Sequence, residues 1–248
     1  LECDPRLKPL FERSFPETIT YGKARSQWLA ESFTDSDIPN IDDHIDYSIS
    51  IDGLPQFFRN QLEDFPKRNS FLLPDPKLVK KWSKRLKAIG DGLKVGISWR
   101  GGAEKVKNPN SIPLSQWKNL LSVDAFFINL QYGDTSEEIA QFSADNNIKI
   151  YDWEDNDASV DLDNQAALIS ELDLVISVDN ATVHSCMALG TEIWDLIDPG
   201  RNLMWMDNGK NVSPLSPHLR LFKKKPLENW DKVLTQVEIE LRARIAEQ

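Results

Sequence analysis

Only two cysteines, Cys3 and Cys186, occur in the 248 residues. They stand far apart and without metal-type spacing, so neither a disulfide framework nor a zinc site is indicated, and two reduced thiols are the simple reading. Long apolar runs are missing as well. None approaches the roughly 18 residues that a membrane span requires, and no signal peptide opens the chain, so a cytoplasmic protein without a membrane span is expected. Positive charge is in deficit, with 29 Lys and Arg against 39 Asp and Glu and a formal net charge of -10. That balance argues against a nucleic-acid partner, because binding a phosphate backbone relies on a positive face. It leaves room for a single phosphorylated ligand, since a helix N-terminus and one or two lysines suffice for a diphosphate. Gly-x-Gly-x-x-Gly, P-loop, His-Glu-x-x-His and Gly-x-Ser-x-Gly motifs are all lacking, which removes motif support for dehydrogenase, kinase and hydrolase chemistry.

What is present is a globular composition, 40% hydrophobic and 27% charged, long enough for two modest cores. Leu1-Glu2-Cys3-Asp4-Pro5 reads like the end of a strand entering a helix, as in a fragment of a longer chain. Leu7, Leu10, Phe11 and Phe15 recur at helical spacing before Pro16, Ile19 to Tyr21 suggests a short strand, and Ile45, Tyr47, Ile49 and Ile51 alternate as in a half-buried strand. Residues 1–73 therefore hold too few strands for an independent doubly wound sheet and form a partial first domain. A linker helix follows within 74–92, marked by Leu78, Val79, Trp82, Leu86 and Ile89 and ended by Gly90 and Gly92. Its lysine-rich face reads as solvated surface.

Residues 93–226 are more regular. Short apolar runs without clean alternation, as in strands buried on both faces, alternate with helical patterns. Strands are predicted at Lys94–Trp99, Ala125–Gln131, Ile148–Tyr151, Leu174–Val178, Ile193–Ile197 and Leu219–Phe222, with helices near 114–121, 136–144, 163–171 and 181–189. This order specifies an α/β domain with a mostly parallel, Rossmann-like sheet. Residues 227–248 carry a last helix whose stripe of Trp230, Val233, Leu234, Val237, Leu241 and Ile245 must cover an apolar surface.

Ligands of open parallel sheets bind beyond the carboxyl ends of the strands. At the first such junction, Arg100-Gly101-Gly102 with Lys105 and Lys107 combines close backbone approach with cations, although a Gly-Gly pair also serves as a plain turn. At Val178-Asp179-Asn180-Ala181-Thr182-Val183-His184 a buried strand runs into a helix whose first amides and Thr182 hydroxyl suit a pyrophosphate. Asp179 or Asn180 equally suits simple helix capping, and His184 simple packing. At Gln131-Tyr132-Gly133, Glu137 and Glu138 suit either a ribose or the helix dipole. Tyr151-Asp152-Trp153 offers an aromatic wall to a base or ordinary packing.

The stretches Val95-Gly96-Ile97-Ser98-Trp99-Arg100-Gly101-Gly102, Ser111-Ile112-Pro113-Leu114, Asn129-Leu130-Gln131-Tyr132-Gly133 and Asp173 to Asp179 resemble heptosyltransferase-type glycosyltransferases, in particular the bacterial modules found behind tetratricopeptide repeats. The resemblance continues through His184, Ala188-Leu189-Gly190 and Trp194, and reaches the opening Glu2-Cys3-Asp4-Pro5-Arg6-Leu7. It implies a GT-B-like fold, two Rossmann-like domains with parallel sheets, the first incomplete here, and transfer of a sugar from a nucleotide-sugar donor to an acceptor hydroxyl. The acceptor class, whether glycan, lipid-linked sugar or protein, stays open. By the same resemblance, Asp179, Asn180, Ala181 and Thr182 would bind the donor diphosphate, with His184 beside them. Arg100 and Lys105 or Lys107 would balance its charge, Gly101 and Gly102 would let the backbone approach it, and Gln131 or Glu137 would approach the nucleoside. No cofactor or metal is implied, because cationic side chains and helix dipoles can stabilise a departing diphosphate. Asn110 stands where the family often has Arg, and the family's base comes from an early loop of the first domain, so the catalytic base is unassigned. A noncatalytic binding or scaffold module of the same fold is the alternative, and a sugar-nucleotide epimerase a third reading by fold analogy.

Overall fold

A computed structural model describes residues 1–23, 47, 49–101, 111–198, 205 and 211–247. Its centre is a seven-stranded sheet ordered β5-β4-β3-β6-β7-β9-β8. The strands are β3 (Lys94–Ser98), β4 (Phe126–Asn129), β5 (Ile150–Tyr151), β6 (Leu174–Val178), β7 (Ile193–Ile197), β8 (Val212–Ser213) and β9 (Ser216–Lys223). Six pair in parallel, and β8 runs antiparallel on the β9 edge. From β3 the chain builds outward through β4 and β5, then returns to the other side of β3 for β6, β7 and β9. That is the doubly wound order, with its switch point between β3 and β6.

Helices cover both faces, which is why β6 and β7 are buried at every position. One face packs Ile97, Leu174, Ile176 and Val178 against the 3-10 turn Leu114–Trp117, α4 (Lys118–Leu121), α5 (Ser136–Asn146) and α8 (Asp231–Ala246). The last helix therefore lies on the main sheet, through Val233, Leu234, Val237 and Leu241. The other face packs Ile128, Val175 and Ile193 against α3 (Pro76–Ala88), α6 (Leu162–Ile169) and α7 (Ala181–Leu189). Gly96 permits this second layer to close: a Cβ there would come within 2.5 Å of Leu130 and 2.7 Å of Leu172.

The first segment is much smaller. β1 (Glu2–Cys3) pairs in parallel with β2 (Tyr21–Gly22), flanking α1 (Lys8–Ser14). It docks through Leu10 and Leu72 on Ala166 and Ala188, an Arg13–Asp163 ion pair, and Arg6 donating to the Ala158 and Ser159 carbonyls at 3.1 Å each. Gly190, at φ 81°, ends α7 in the left-handed region beneath this segment, where a Cβ would meet the Asn69 carbonyl oxygen at 2.5 Å.

One expected element differs. The alternation across Ile45–Ile51 predicts a half-buried strand; Ile45, Asp46 and Ser48 lie outside the described residues, Tyr47, Ile49 and Ser50 belong to no strand, and Ile51–Gly53 is a 3-10 turn followed by α2 (Pro55–Phe58). Tyr47 is 93% exposed. Period-two spacing gains nothing without a neighbouring strand to pair with and a surface to cover.

Candidate functional site at the sheet switch point

The carboxyl ends of β3 and β6 lie side by side, with Ser98 registered on Ser177. Here the chain leaves β3 through Trp99, Arg100 and Gly101, and leaves β6 through Asp179 and Asn180 into α7. Two amide side chains bind these exits together. Gln131 Oε1 accepts from Ser98 Oγ at 3.1 Å, Trp99 N at 3.0 Å and Arg100 N at 2.8 Å. Asn180 Nδ2 donates to Ser98 Oγ at 2.8 Å and to the Arg100 carbonyl at 3.0 Å. Asn129 anchors Gln131 in turn, its Oδ1 accepting from Gln131 N at 2.9 Å, while its Nδ2 donates to Thr135 and Asp152.

Gln131 is thus 3% exposed and engaged by the β3 exit, so its amide serves the backbone rather than the open mouth. Asn180 caps α7, accepting from Thr182 N at 2.9 Å. That hydrogen bond uses one of the amides a pyrophosphate would otherwise contact. Thr182 and Asp179 are buried and Ala181 is exposed at the mouth. Gly101 is held by Ser111, its N donating to Ser111 Oγ at 3.1 Å, and Ile112 N returns to the Trp99 carbonyl at 2.9 Å. Gly102, Lys105 and Lys107 lie outside the described residues, between these two anchored ends.

Of the acidic pair on α5, Glu137 is exposed, and Glu138 is the one at the mouth. Its Oε1 accepts from Trp99 Nε1 at 3.2 Å and its Oε2 lies 3.0 Å from Arg100 Nη1. The i to i+1 rotation on a helix decides this choice, and sequence spacing alone does not reveal which carboxylate faces the sheet. Tyr151 and Trp153 stack on each other at 6.1 Å, and Trp153 packs edge-on to Trp82 at 5.2 Å. These aromatics cover α3. The His184 ring packs tilted against Trp205, centroids 4.9 Å apart. Although the residue is exposed overall, close-packed neighbours lower its pKa, and Asp179 partly opposes that shift. The neutral ring is therefore favoured near neutrality.

The two cysteines are free and buried, and burial pushes the Cys186 thiol up, away from nucleophilic use. Among the described residues, no group of three or more His, Cys, Asp or Glu side chains is placed to hold a metal, and no helix is long and apolar enough to cross a membrane. Two cavities lie elsewhere, one at the amino ends of the strands beside Lys87 and Asp173, the other between α1 and the chain preceding β2.

No family model matches the chain. Protein FlbA of Caulobacter vibrioides (strain ATCC 19089 / CIP 103742 / CB 15) is 34% identical over 246 residues, 98% of this chain and 40% of that protein. ADP-heptose LPS heptosyltransferase II of E. coli superposes with a TM-score of 0.50 at 14% identity, over 77% of this chain and 58% of that one. A family 9 glycosyltransferase from Veillonella parvula DSM 2008 also reaches 0.50, at 12% identity over 73% and 53%. The chain spans less than two thirds of each of these proteins. The structural likeness establishes the fold, an α/β architecture with the parallel sheet of GT-B heptosyltransferases.

Proposed function

We propose that this chain contributes the nucleotide-sugar-binding half of a glycosyltransferase. The observation that carries the reading is the junction of two anion-favouring groups at the switch point of the sheet: the Arg100 guanidinium beyond β3 and the N-terminus of α7 beyond β6. In this reading a donor diphosphate lies along Asp179 to Thr182, balanced by Arg100 and by Lys105 or Lys107, with its nucleoside toward Gly133 and the start of α5. The acceptor oxygen bonds to the anomeric carbon as the bond to the diphosphate oxygen breaks, and a base contributed from elsewhere in the protein takes the hydroxyl proton. Helix amides and cations stabilise the departing diphosphate, so the reaction needs no metal.

A noncatalytic binding module of the same fold is the second reading, favoured by Asn110 and by the engagement of Arg100 with Glu138. The two separate experimentally. With the full-length protein, incubation with ADP-, GDP-, UDP- and CDP-sugars should release the matching nucleoside diphosphate if the first reading holds. Thermal stabilisation by a nucleoside diphosphate without any turnover favours the second, and no response to any nucleotide overturns both.

A further inference from the structure

The Arg100–Glu138 pair has features of a contact made to be exchanged. The backbone of Arg100 is held at both ends, its N–H by Gln131 and its carbonyl by Asn180 at 3.0 Å, with Gln131 Nε2 at 3.4 Å. The residue cannot swing away from the mouth without breaking this buried network. Its guanidinium lies 5.8 Å from the Trp99 ring, and the Trp99 indole N–H in turn holds Glu138. The carboxylate is held by the indole and the Arg100 backbone is fixed at the mouth, yet the contact between the two charges is incomplete. Arg100 Nη1 and Glu138 Oε2 stand 3.0 Å apart, but Glu138 Oε2 lacks a well-directed hydrogen bond, and Arg100 Nη2 is buried with no hydrogen-bond partner. A settled arginine–carboxylate pair is commonly bidentate and satisfies both terminal nitrogens. The side chains are 31% and 35% exposed, so their attraction is screened and a doubly charged ligand can compete for the cation.

We infer that Glu138 is an internal counter-ion that occupies the anion site of Arg100 in the empty protein, and that a phosphoryl group of the ligand must displace it. The idea rests on the nucleotide-sugar reading for the identity of that ligand, but the exchange itself concerns any phosphoryl anion. Gln131 and Asn180 fix the Arg100 backbone at the mouth, so the exchange involves the side chain alone.

Inorganic pyrophosphate is the direct probe, titrated calorimetrically into the full-length protein and its variants. Glu138→Gln keeps an acceptor for the Trp99 indole but removes the competing charge, and pyrophosphate affinity should rise about fivefold, the scale of a screened ion pair. Glu138→Asp, one methylene shorter, should give a smaller rise, and it serves as the informative variant if the glutamine form does not fold. In Arg100→Met/Glu138→Gln the gain should vanish. Unchanged or weaker binding by a folded Glu138→Gln or Glu138→Asp protein overturns the inference, as does a gain that persists without Arg100. If the pyrophosphate gain appears but ADP, GDP, UDP and CDP bind no better than pyrophosphate, the donor reading fails and the exchange stands. If a nucleoside diphosphate binds well and Glu138→Gln changes nothing, the donor reading stands and the exchange fails.

Discussion

Ile97, Ile176 and Leu196 are completely buried in the main sheet, whereas Ile51, Phe57 and Phe58 are 65%, 61% and 62% exposed in the first segment. The residue types are comparable, and the setting differs. In the main sheet each apolar side chain meets a helix on one side and strand neighbours laterally, so burial is shared by many contacts. From Ile49 to Leu62 the chain makes 3-10 and single-turn helices, and none of the described residues there joins the three buried clusters. Among the described residues, the first segment is attached by Leu10 and Leu72 on Ala166 and Ala188, by the Phe71 and Leu72 amides donating to the Ala188 carbonyl, and by Arg6 and Arg13 on the 158–163 loop and helix. One region is held by its pattern, the other by a handful of anchors.

The sharpest way to break this comparison is a paired substitution. Ile176→Ala should cost about 4 kcal/mol in urea unfolding, because it leaves a cavity in a closed layer. Phe57→Ser should change stability by less than about 0.5 kcal/mol, as exposed positions do. Similar losses in the two proteins would mean that the exposed stretch is covered in solution. Next in size is Gln131→Ala, expected to cost about 3 kcal/mol because three donors, Ser98 Oγ and the amides of Trp99 and Arg100, lose a buried acceptor. A neutral result would mean that the mouth is hydrated and does not depend on this amide.

Arg13→Met tests the anchors of the first segment. It leaves Asp163 largely buried without its guanidinium and should destabilise by about 2 kcal/mol. Hydrogen exchange should accelerate in α1 while β3, β6 and β7 keep their protection. Equal acceleration in both regions would show that they unfold together.

The smallest effect is electrostatic. Arg85, with help from Lys81, holds the Asp155 carboxyl down at about 2. A depressed carboxylate stabilises the folded state above its ordinary pKa and loses that contribution as pH falls. The loss should run from about pH 4 to pH 2, and, because Asp155 is about half exposed, it should stay below about 1 kcal/mol. Asp155→Asn should remove this acid-side slope from a stability-versus-pH curve, and an unaltered slope would assign it to other groups.

Much of the main sheet was legible in the residues. β6 and β7 begin and end where apolar-rich runs place them, although Ser177 and Asp195 interrupt those runs, and β3 differs by one residue; strands enclosed on both faces carry few polar positions. At the strand ends the sequence names the candidate residues but not the hydrogen-bond partners they take. Strand ends mark the mouth, where the Gln131 amide, which the family resemblance implies for the nucleoside, and the Asn180 amide, which the sequence offers to a helix cap or a diphosphate, both bond to the β3 exit. Glu138 meets Arg100 while Glu137 is exposed, and Trp153 packs on Trp82, one of the two settings its sequence position allows.

Apolar patterning along the chain, then, was enough to indicate the helices and strands of the main parallel sheet, because each follows from local propensity and the need to bury a repeating face, but the same kind of signal at Ile49 and Ile51 built no strand. The partners of individual polar groups came only with assembly of the sheet. Which donor meets Gln131, and which carboxylate meets Arg100, depends on the register of strands some 30 to 80 residues apart in the chain, and hydrogen bonds of that range leave no periodic trace in the sequence.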